Sequence, residues 1–298
     1  MQSLTPSSDW ETEAVQLTKH HGLANDFLVA LDELNGRALT VDGDLAAKLC
    51  DRRQGIGADG LIHGAAPEPE SDADVVMVLY NADGGRAEMS GNGIRCLAQA
   101  VALAREEREL HLRIATDGGV RLVSVRAADA DDQVAHAEAH MGRVGPGPEV
   151  PAAVVERLGR PGPAHALRFA TADVGNPHLV VEVADPGAVD LAEVGAWIEG
   201  QFVAGINVEF ASAAADERVV IMAVWERGAG ITEACGTGAC ATASVFEAWH
   251  RLPVSPDGDP TIWVAMPGGE AAIRLLGDGE AVLAGPVHHV ATLEVTDA

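Results

Sequence analysis

The stretch ERGAGITEACGTGAC, residues 226–240, places a thiol, Cys235, directly before the turn Gly236-Thr237-Gly238, which opens into the small, helix-compatible run Ala239 to Ala243. A turn that opens into a helix exposes unpaired backbone N–H groups at the positive end of the helix dipole. Such a place binds anions, and it lowers the pKa of a cysteine seated there. Cys235 therefore reads as a reactive thiolate beside an anion pocket the size of a carboxylate. Simple packing of a small residue before a helix is the competing explanation for this stretch taken alone.

An earlier stretch, NADGGRAEMSGNGIRC (81–96), has the same layout and aligns with the later one without a gap. Ser90 falls on Cys235, Gly91 on Gly236, Gly93 on Gly238, Gly85 on Gly230 and Glu88 on Glu233. Copies half a chain apart suggest a duplicated domain whose halves face each other. Two helix N-termini converging on one cleft give two anion-binding turns and two nucleophile-type side chains on opposite sides of a ligand. That geometry suits removing a proton from one face of a carbon and returning one to the other.

The chain has 298 residues, of which 47% are hydrophobic, enough for two domains with real cores. No apolar run approaches the length needed to cross a bilayer. Met1 to Glu13 is polar, lacks the pattern of a signal peptide, and is expected to form a loose tail. The net charge of −25 repels nucleic acid and anionic membranes, so neither is expected as a partner. Lys19 and Lys48 are the only lysines, and neither has the setting of a Schiff-base lysine, which argues against pyridoxal phosphate. Cys50, Cys96, Cys235 and Cys240 are too few and too scattered for a disulfide framework, and no CxxC or CxxH spacing suggests zinc. No metal or organic cofactor is expected, and a reduced, cytoplasmic setting is.

Along the chain, Val15 to Thr18 and Phe27 to Ala30 read as short strands, and Asp44 to Cys50 as a short helix with Asp44 as its N-cap. Gly55-Ile56-Gly57-Ala58-Asp59-Gly60 is a literal GxGxxG. A helix precedes it and a strand-like Leu61 to His63 follows, the reverse of the dinucleotide context, so it reads as a glycine turn into a strand. Val75 to Tyr80 is a strand feeding the first motif, and Leu97, Ala98, Val101 and Ala102 recur at helical spacing. Cys96 reads as a small core residue of that helix. Leu112 to Ala115 and Val120 to Val125 are strands, Asp129 to Asp132 a polar loop, Gly142 to Pro151 a connection, and Ala152 to Leu158 a helix. Asp173 to Val181 is a polar turn entering a strand, a counterpart of Gly22 to Val29. Ala188 to Gly200 reads as helical. Strands are expected at Gly205 to Phe210, Arg218 to Trp225, Ile262 to Ala265, Ala272 to Leu275 and Val290 to Val295. The fold class is α+β: two pseudo-symmetric domains of mostly antiparallel strands, each around a central helix, with the active site in the cleft between them. The expected division is 14–136 and 137–285, with 286–298 returning to complete the first half.

The segments HGLANDF (21–27), DRRQGIGADG (51–60), NADG (81–84), SGNGIRC (90–96), GNPH (175–178), GINVEF (205–210) and ERGAGITEACGTGAC (226–240) span nearly the whole chain in order. Together they resemble the diaminopimelate epimerases, cofactor-independent amino-acid epimerases of bacterial lysine and peptidoglycan synthesis. The resemblance implies a cleft that closes on a diamino-dicarboxylate and excludes water, which helps to remove a very weakly acidic α-proton. By position, Asn25, Asn81, Asn176 and Asn207 match residues that hold the substrate, and Glu226 and Arg227 those that bind its distal amino-acid end. Gly91-Asn92 and Gly236-Thr237 match the amides that grip the reacting carboxylate, and His178 helps to shape or polarise the site. A homodimer is compatible with this reading.

At position 90 the sequence departs from that family, which carries a cysteine before each glycine turn; here the first is Ser90. A serine hydroxyl is a poor general base at neutral pH without a partner, and no histidine or lysine lies beside it in sequence. Ser90 is an introduced substitution, or a natural residue that relays a proton through water or a neighbour, or the mark of a homologue with changed chemistry. A disulfide between the two catalytic positions is excluded in each case. The alternatives to diaminopimelate epimerisation are a proline racemase or hydroxyproline epimerase-like activity, and an amino-acid-binding protein that has lost one base. GNPH, the ERGAG run and Arg227 favour a substrate with a second charged end.

Overall fold

The computed structural model describes residues 14–87, 89–128, 133–214, 218–255 and 258–296. The expected tail at 1–13, the polar loop at 129–132 and Glu88 of the first motif lie outside them.

Backbone pairing closes the first half of the chain into a ring. β1 (Val15–Gly22) is antiparallel to β2 (Asn25–Leu31), which runs parallel to β3 (Gly60–Ala65), itself antiparallel to β4 (Val75–Asn81). β4, flanked by the two-residue β5 (Arg86–Ala87), runs parallel to β6 (Glu109–Thr116), and the meander continues antiparallel through β7 (Gly119–Ala127) to β8 (Val134–Arg143). The long final strand β17 (Glu280–Val295) pairs antiparallel with both β8 and β1 and closes the ring at eight strands.

The second half repeats this order. β9 (Gly145–Pro146) continues β8 and pairs with β10 (Arg168–Asp173), which is antiparallel to β11 (Pro177–Glu182). β11 is parallel to β12 (Asn207–Ala213), and β12 is antiparallel to β13 (Val219–Glu226). β13, flanked by β14 (Gly230–Thr232), is parallel to β15 (Ile262–Met266), and β16 (Gly269–Leu275) then leads back to β17. The halves thus match strand for strand. Because β8 and β17 serve both rings, the expected divisions at 136/137 and 285/286 fall inside shared strands.

Six helices lie among the described residues: α1 (Asp32–Asn35), α2 (Gly43–Cys50), α3 (Gly91–Ala104), α4 (Ala152–Leu158), α5 (Leu191–Glu199) and α6 (Gly236–Ala248). α3 and α6 each run inside one ring, which is why they are buried on every side: all residues from Gly91 to Ala102 and from Gly236 to Ala243 are buried. One continuous core surrounds both helices, while α2 covers the outside of the first ring and α4 and α5 the outside of the second. Two local expectations are corrected. Asp42, not Asp44, caps α2, because its backbone is extended and its carboxylate accepts from the amide of Leu45 (2.9 Å), whereas Asp44 already lies in the first turn. The expected helix at 188–200 splits into a 3₁₀ turn (Pro186–Ala188) and α5, whose N-cap Asp190 accepts from the amide of Glu193.

The N-termini of α3 and α6 meet. A Cβ on Gly91 would stand 3.1 Å from the Gly236 Cα and 2.6 Å from Leu283 Cδ2, and one on Gly236 would stand 3.0 Å from the Gly91 Cα. Only glycine allows this approach. The sheet register fixes where the two ends sit, and the seam between β1 and β17 ends in two histidine pairs. His20 lies opposite His289 and His21 opposite His288, the latter pair stacked with ring centroids 4.6 Å apart.

His20 is wholly buried against Gln99 of α3 (2.9 Å), and burial, with lesser repulsion from His289 and His21, pushes its pKa down to about 3. The unfolded chain protonates this histidine near its ordinary value and the folded chain resists, so its contribution to stability is present above about pH 6.5 and is lost as pH falls toward 3. We therefore expect the melting temperature to fall on acidification from about pH 7.5 to 5, at a rate corresponding to about 1.4 kcal/mol per pH unit below pH 6.5. His20→Gln should flatten that dependence in thermal melts. An unchanged slope in the variant would remove His20 as its cause.

Candidate active site

A cleft of about 590 Å³ opens where the two helix ends meet. Its wall takes Asn25 from the β1–β2 turn, Asn81 from the end of β4, and Ser90, Gly91 and Asn92 from the start of α3. From the second half come Asn176, Asn207, Glu226, Arg227, Cys235, Gly236 and Thr237. His178 is the one expected site residue that is not on the wall. It is fully buried behind it, where its Nε2 bonds Asn176 Oδ1 (3.0 Å) and its Nδ1 bonds Glu209 Oε1 (2.6 Å). The same strand–turn–helix geometry builds both ends of the cleft. Ser90 and Cys235 are the N-caps of α3 and α6, both with extended backbone, Ser90 Oγ accepting from the Gly93 amide (3.0 Å) and Cys235 Sγ from the Gly238 amide (3.4 Å).

The asparagines are held by their neighbours. Asn25 donates to Asp59 Oδ2 (2.9 Å), and Asp59 is braced by Arg52, which also pairs with Asp26. The expected glycine turn at 55–60 thus brings Asp59 to the cleft wall. Asn92 Nδ2 donates to the carbonyl of Ala234 (3.2 Å) and lies 3.4 Å from Asn25 Oδ1, tying the first helix end to the second turn. Asn176 donates to Thr237 Oγ1 (3.3 Å), and Asn207 accepts from the Arg227 amide (2.9 Å). Arg227 donates to the carbonyl of Ala204 (3.3 Å), so its guanidinium sits at the outer part of the cleft with Arg86, which is held by Asp117.

The electrostatics at Cys235 correct the expected thiolate. Burial pushes the thiol's pKa well above its ordinary value, and the carboxyls of Glu226 and Glu209 push it further; bonds from Thr237 and the Gly238 amide act the other way. The resting residue is therefore a thiol. Glu226 is raised as well, chiefly by burial; its carboxyl accepts from Thr232 Oγ1 (2.5 Å) and lies close enough to Cys235 for the two to influence each other's ionisation. Glu226, which the resemblance assigns to the substrate's distal end, thus lies on the cleft wall near Cys235. Glu209 went unassigned in the sequence, although a glutamate between Val208 and Phe210 in an apolar strand is a visible signal. It is fully buried, and a Cβ on Gly238 would stand 2.7 Å from its Oε1. All four cysteines are free and buried, and no cluster of metal-ligand spacing occurs among the described residues.

Two helix-terminal turns thus face one cleft, with the Cys235 thiol on one and the Ser90 hydroxyl on the other. The fold is shared with a hydroxyproline epimerase from Agrobacterium vitis, solved with bound trans-4-hydroxy-L-proline, at a TM-score of 0.66 and 17% identity over 96% of this chain and 93% of that one. The family model described as diaminopimelate epimerase matches residues 17–144 and 170–290. The diaminopimelate epimerase of Synechococcus elongatus is 36% identical over 281 residues, 92% of this chain and 95% of its own. That of Streptomyces coelicolor is 38% identical over 294 residues, 95% and 96% respectively. The chain belongs to the diaminopimelate epimerase family.

Because the charge on Glu226 is one of the forces holding the Cys235 proton in place, Glu226→Gln should lower the thiol's pKa and enlarge the thiolate fraction at any fixed pH below it. Iodoacetamide at pH 8 should then alkylate Cys235 severalfold faster than in the wild type, roughly the effect of relieving one like-charge contact. Slower alkylation would mean that Glu226 promotes, rather than opposes, ionisation of the thiol.

Proposed function

We propose that this chain interconverts LL- and meso-2,6-diaminopimelate in the cytoplasm, supplying lysine and peptidoglycan precursors, by moving the α-proton of one amino-acid end between its two faces. The observation that carries this reading is the pair of abutting helix N-termini, which offers one carboxylate two sets of amides with Cys235 on one flank and Ser90 on the other. The family relationship supports the substrate, and so do Arg86 and Arg227 at the outer cleft, which suit a second charged end. A cyclic proline-type substrate has no second charged end to reach those groups.

In the proposed cycle the substrate α-carboxylate lies on the amides of Gly91-Asn92 and Gly236-Thr237. The approaching α-ammonium favours negative charge on Cys235, whose proton passes to the adjoining Glu226 carboxylate. That transfer keeps net charge constant inside a dry site, so it costs less than ionisation into solvent. The thiolate then takes the α-proton from one face. From the other face the Ser90 hydroxyl delivers a proton; a water reprotonates Ser90, and the hydroxide so formed takes the proton held on Glu226, which returns the site to its starting state. Serine is suited to giving this proton rather than taking it, because an α-carbanion is a stronger base than an alkoxide. Asn176, His178 and Glu209 hold the second turn in register, and Asn25, Asn81 and Asn207 orient the substrate. Closure would draw the two rings together about the shared strands β8 and β17, excluding water as they meet.

Proton NMR of LL- and meso-diaminopimelate in D₂O tests the assignment. Wild type should exchange and invert the α-position, Ser90→Cys should turn over about tenfold or more faster by gaining an effective base on that face, and Cys235→Ala should bind substrate without turnover. Absence of exchange in both wild type and Ser90→Cys would remove diaminopimelate as the substrate.

A further inference from the structure

Arg95 lies within α3, one and a half turns from its N-terminus, and is fully buried. Its Nη2 donates to Asn92 Oδ1 (2.8 Å), while Nε and Nη1 are buried without a hydrogen-bond partner. No carboxylate among the described residues pairs with it. Its charged neighbours are only potential ones: Cys96 and Cys240, whose thiols are pushed up to about 12 by burial and remain neutral. The strands make room for this group. A Cβ on Gly22 would stand 3.2 Å from Nη2, and one on Gly285 3.5 Å from it. A buried guanidinium with no counter-charge is costly, and it is unexpected in a chain of net charge −25 that could supply carboxylates freely.

The duplication sharpens the point. In the gapless alignment of the two motifs, Arg95 falls on Cys240, so the second half has a small neutral residue where the first has a cation. Each half therefore buries charge differently under its turn. Below Gly238 lies Glu209 with His178; below Gly93 the nearest atom beyond Ser90 is the Ile62 methyl. Acid–base groups gather under Cys235, and a fully buried cation with no carboxylate partner among the described residues lies under the Ser90 turn, a single side chain (Asn92) away from the cleft wall.

We infer that Arg95 is the fixed counter-charge for the carboxylate held at the Gly91–Gly236 junction, acting through Asn92 as a positioning residue for the reaction proposed above. The inference rests on the part of that reading which places a carboxylate on the two turns, and not on the identity of the substrate. The bound carboxylate supplies the negative charge that the protein withholds, and the field of Arg95 adds to that of the two helix ends without a direct contact.

The test compares two alkylating agents of nearly equal shape, iodoacetate and iodoacetamide, by mass spectrometry of Cys235 in wild type, Arg95→Met, Arg95→Gln and Arg95→Lys. The ratio of the two rates reads the site's preference for a carboxylate and cancels the ionisation of the thiol. In the neutral variants the iodoacetate-to-iodoacetamide ratio should fall by about tenfold with the iodoacetamide rate unchanged, and Arg95→Lys should keep it within about threefold of wild type. A ratio unchanged in both neutral variants overturns the inference. So does a fall accompanied by faster iodoacetamide labelling of Cys235 together with labelling of Cys96 and Cys240, because that pattern reports an opened core. If one neutral variant does not fold, the other and the lysine variant carry the comparison. Neither reagent is diaminopimelate, so a positive result beside a failed epimerase assay would retain Arg95 and remove the substrate.

Discussion

The contact between the α-carbons at Gly91 and Gly236 is the constraint on which the rest of the structure depends. Each helix end carries roughly half a positive charge, so pressing two together is electrostatically unfavourable unless an anion sits between them. What holds them there is the shared apolar core around α3 and α6, closed by β8 and β17, which belong to both rings. The rings cannot move apart locally without breaking a sheet that runs through both. Packing thus imposes a site whose electrostatics are complete only when a carboxylate arrives, which is the sense in which the fold is preorganised for its ligand.

The halves share strand order but not chemistry, and the difference lies beneath the turns. Phe27 at the start of β2 corresponds in register to His178 at the start of β11, since Phe27 pairs with Gly60 on the parallel neighbour as His178 pairs with Asn207. Ile62, two residues along β3, then corresponds to Glu209, two residues along β12. One turn is therefore cushioned by hydrocarbon and the other by a buried histidine–glutamate pair. A symmetric scaffold has been given an asymmetric interior, and this matches a reaction in which the two faces of the carbon receive different treatment.

Much of this was legible because the decisive features are local. A small-residue turn before an apolar helix announces itself in sequence, and the gapless match of 81–96 with 226–240 exposed both the duplication and the pairing of Ser90 with Cys235. The apolar run of β4 and the counterpart turns at Gly22 and Gly175 were readable for the same reason. What escaped was set by distant residues. β17 runs for sixteen residues through Gly285 and Pro286, which punctuate a strand pattern in sequence, and only its last stretch was expected. Glu209 and Asp59 reach the site from strands and turns whose placement depends on closing the rings. Cys235 was expected as a thiolate from its helix dipole alone. Burial and two carboxylates, brought by β12 and β13, outweigh that dipole, because desolvation of a buried anion exceeds the effect of a half-charge at a helix end.

Serine at position 90 gains a physical logic from this asymmetry. The helix end that Ser90 caps has the field of Arg95 behind it, and no carboxylate among the described residues bonds Ser90, conditions that stabilise a negative charge. A cysteine placed there could itself become the anion and would compete with the substrate carboxylate for the same field. A serine hydroxyl stays neutral in it, so the full attraction of the turn remains available to the carboxylate. In the proposed cycle serine therefore trades strength as a base for undivided binding of the substrate, and the proton-accepting work falls to the opposite face, where Glu226 adjoins Cys235.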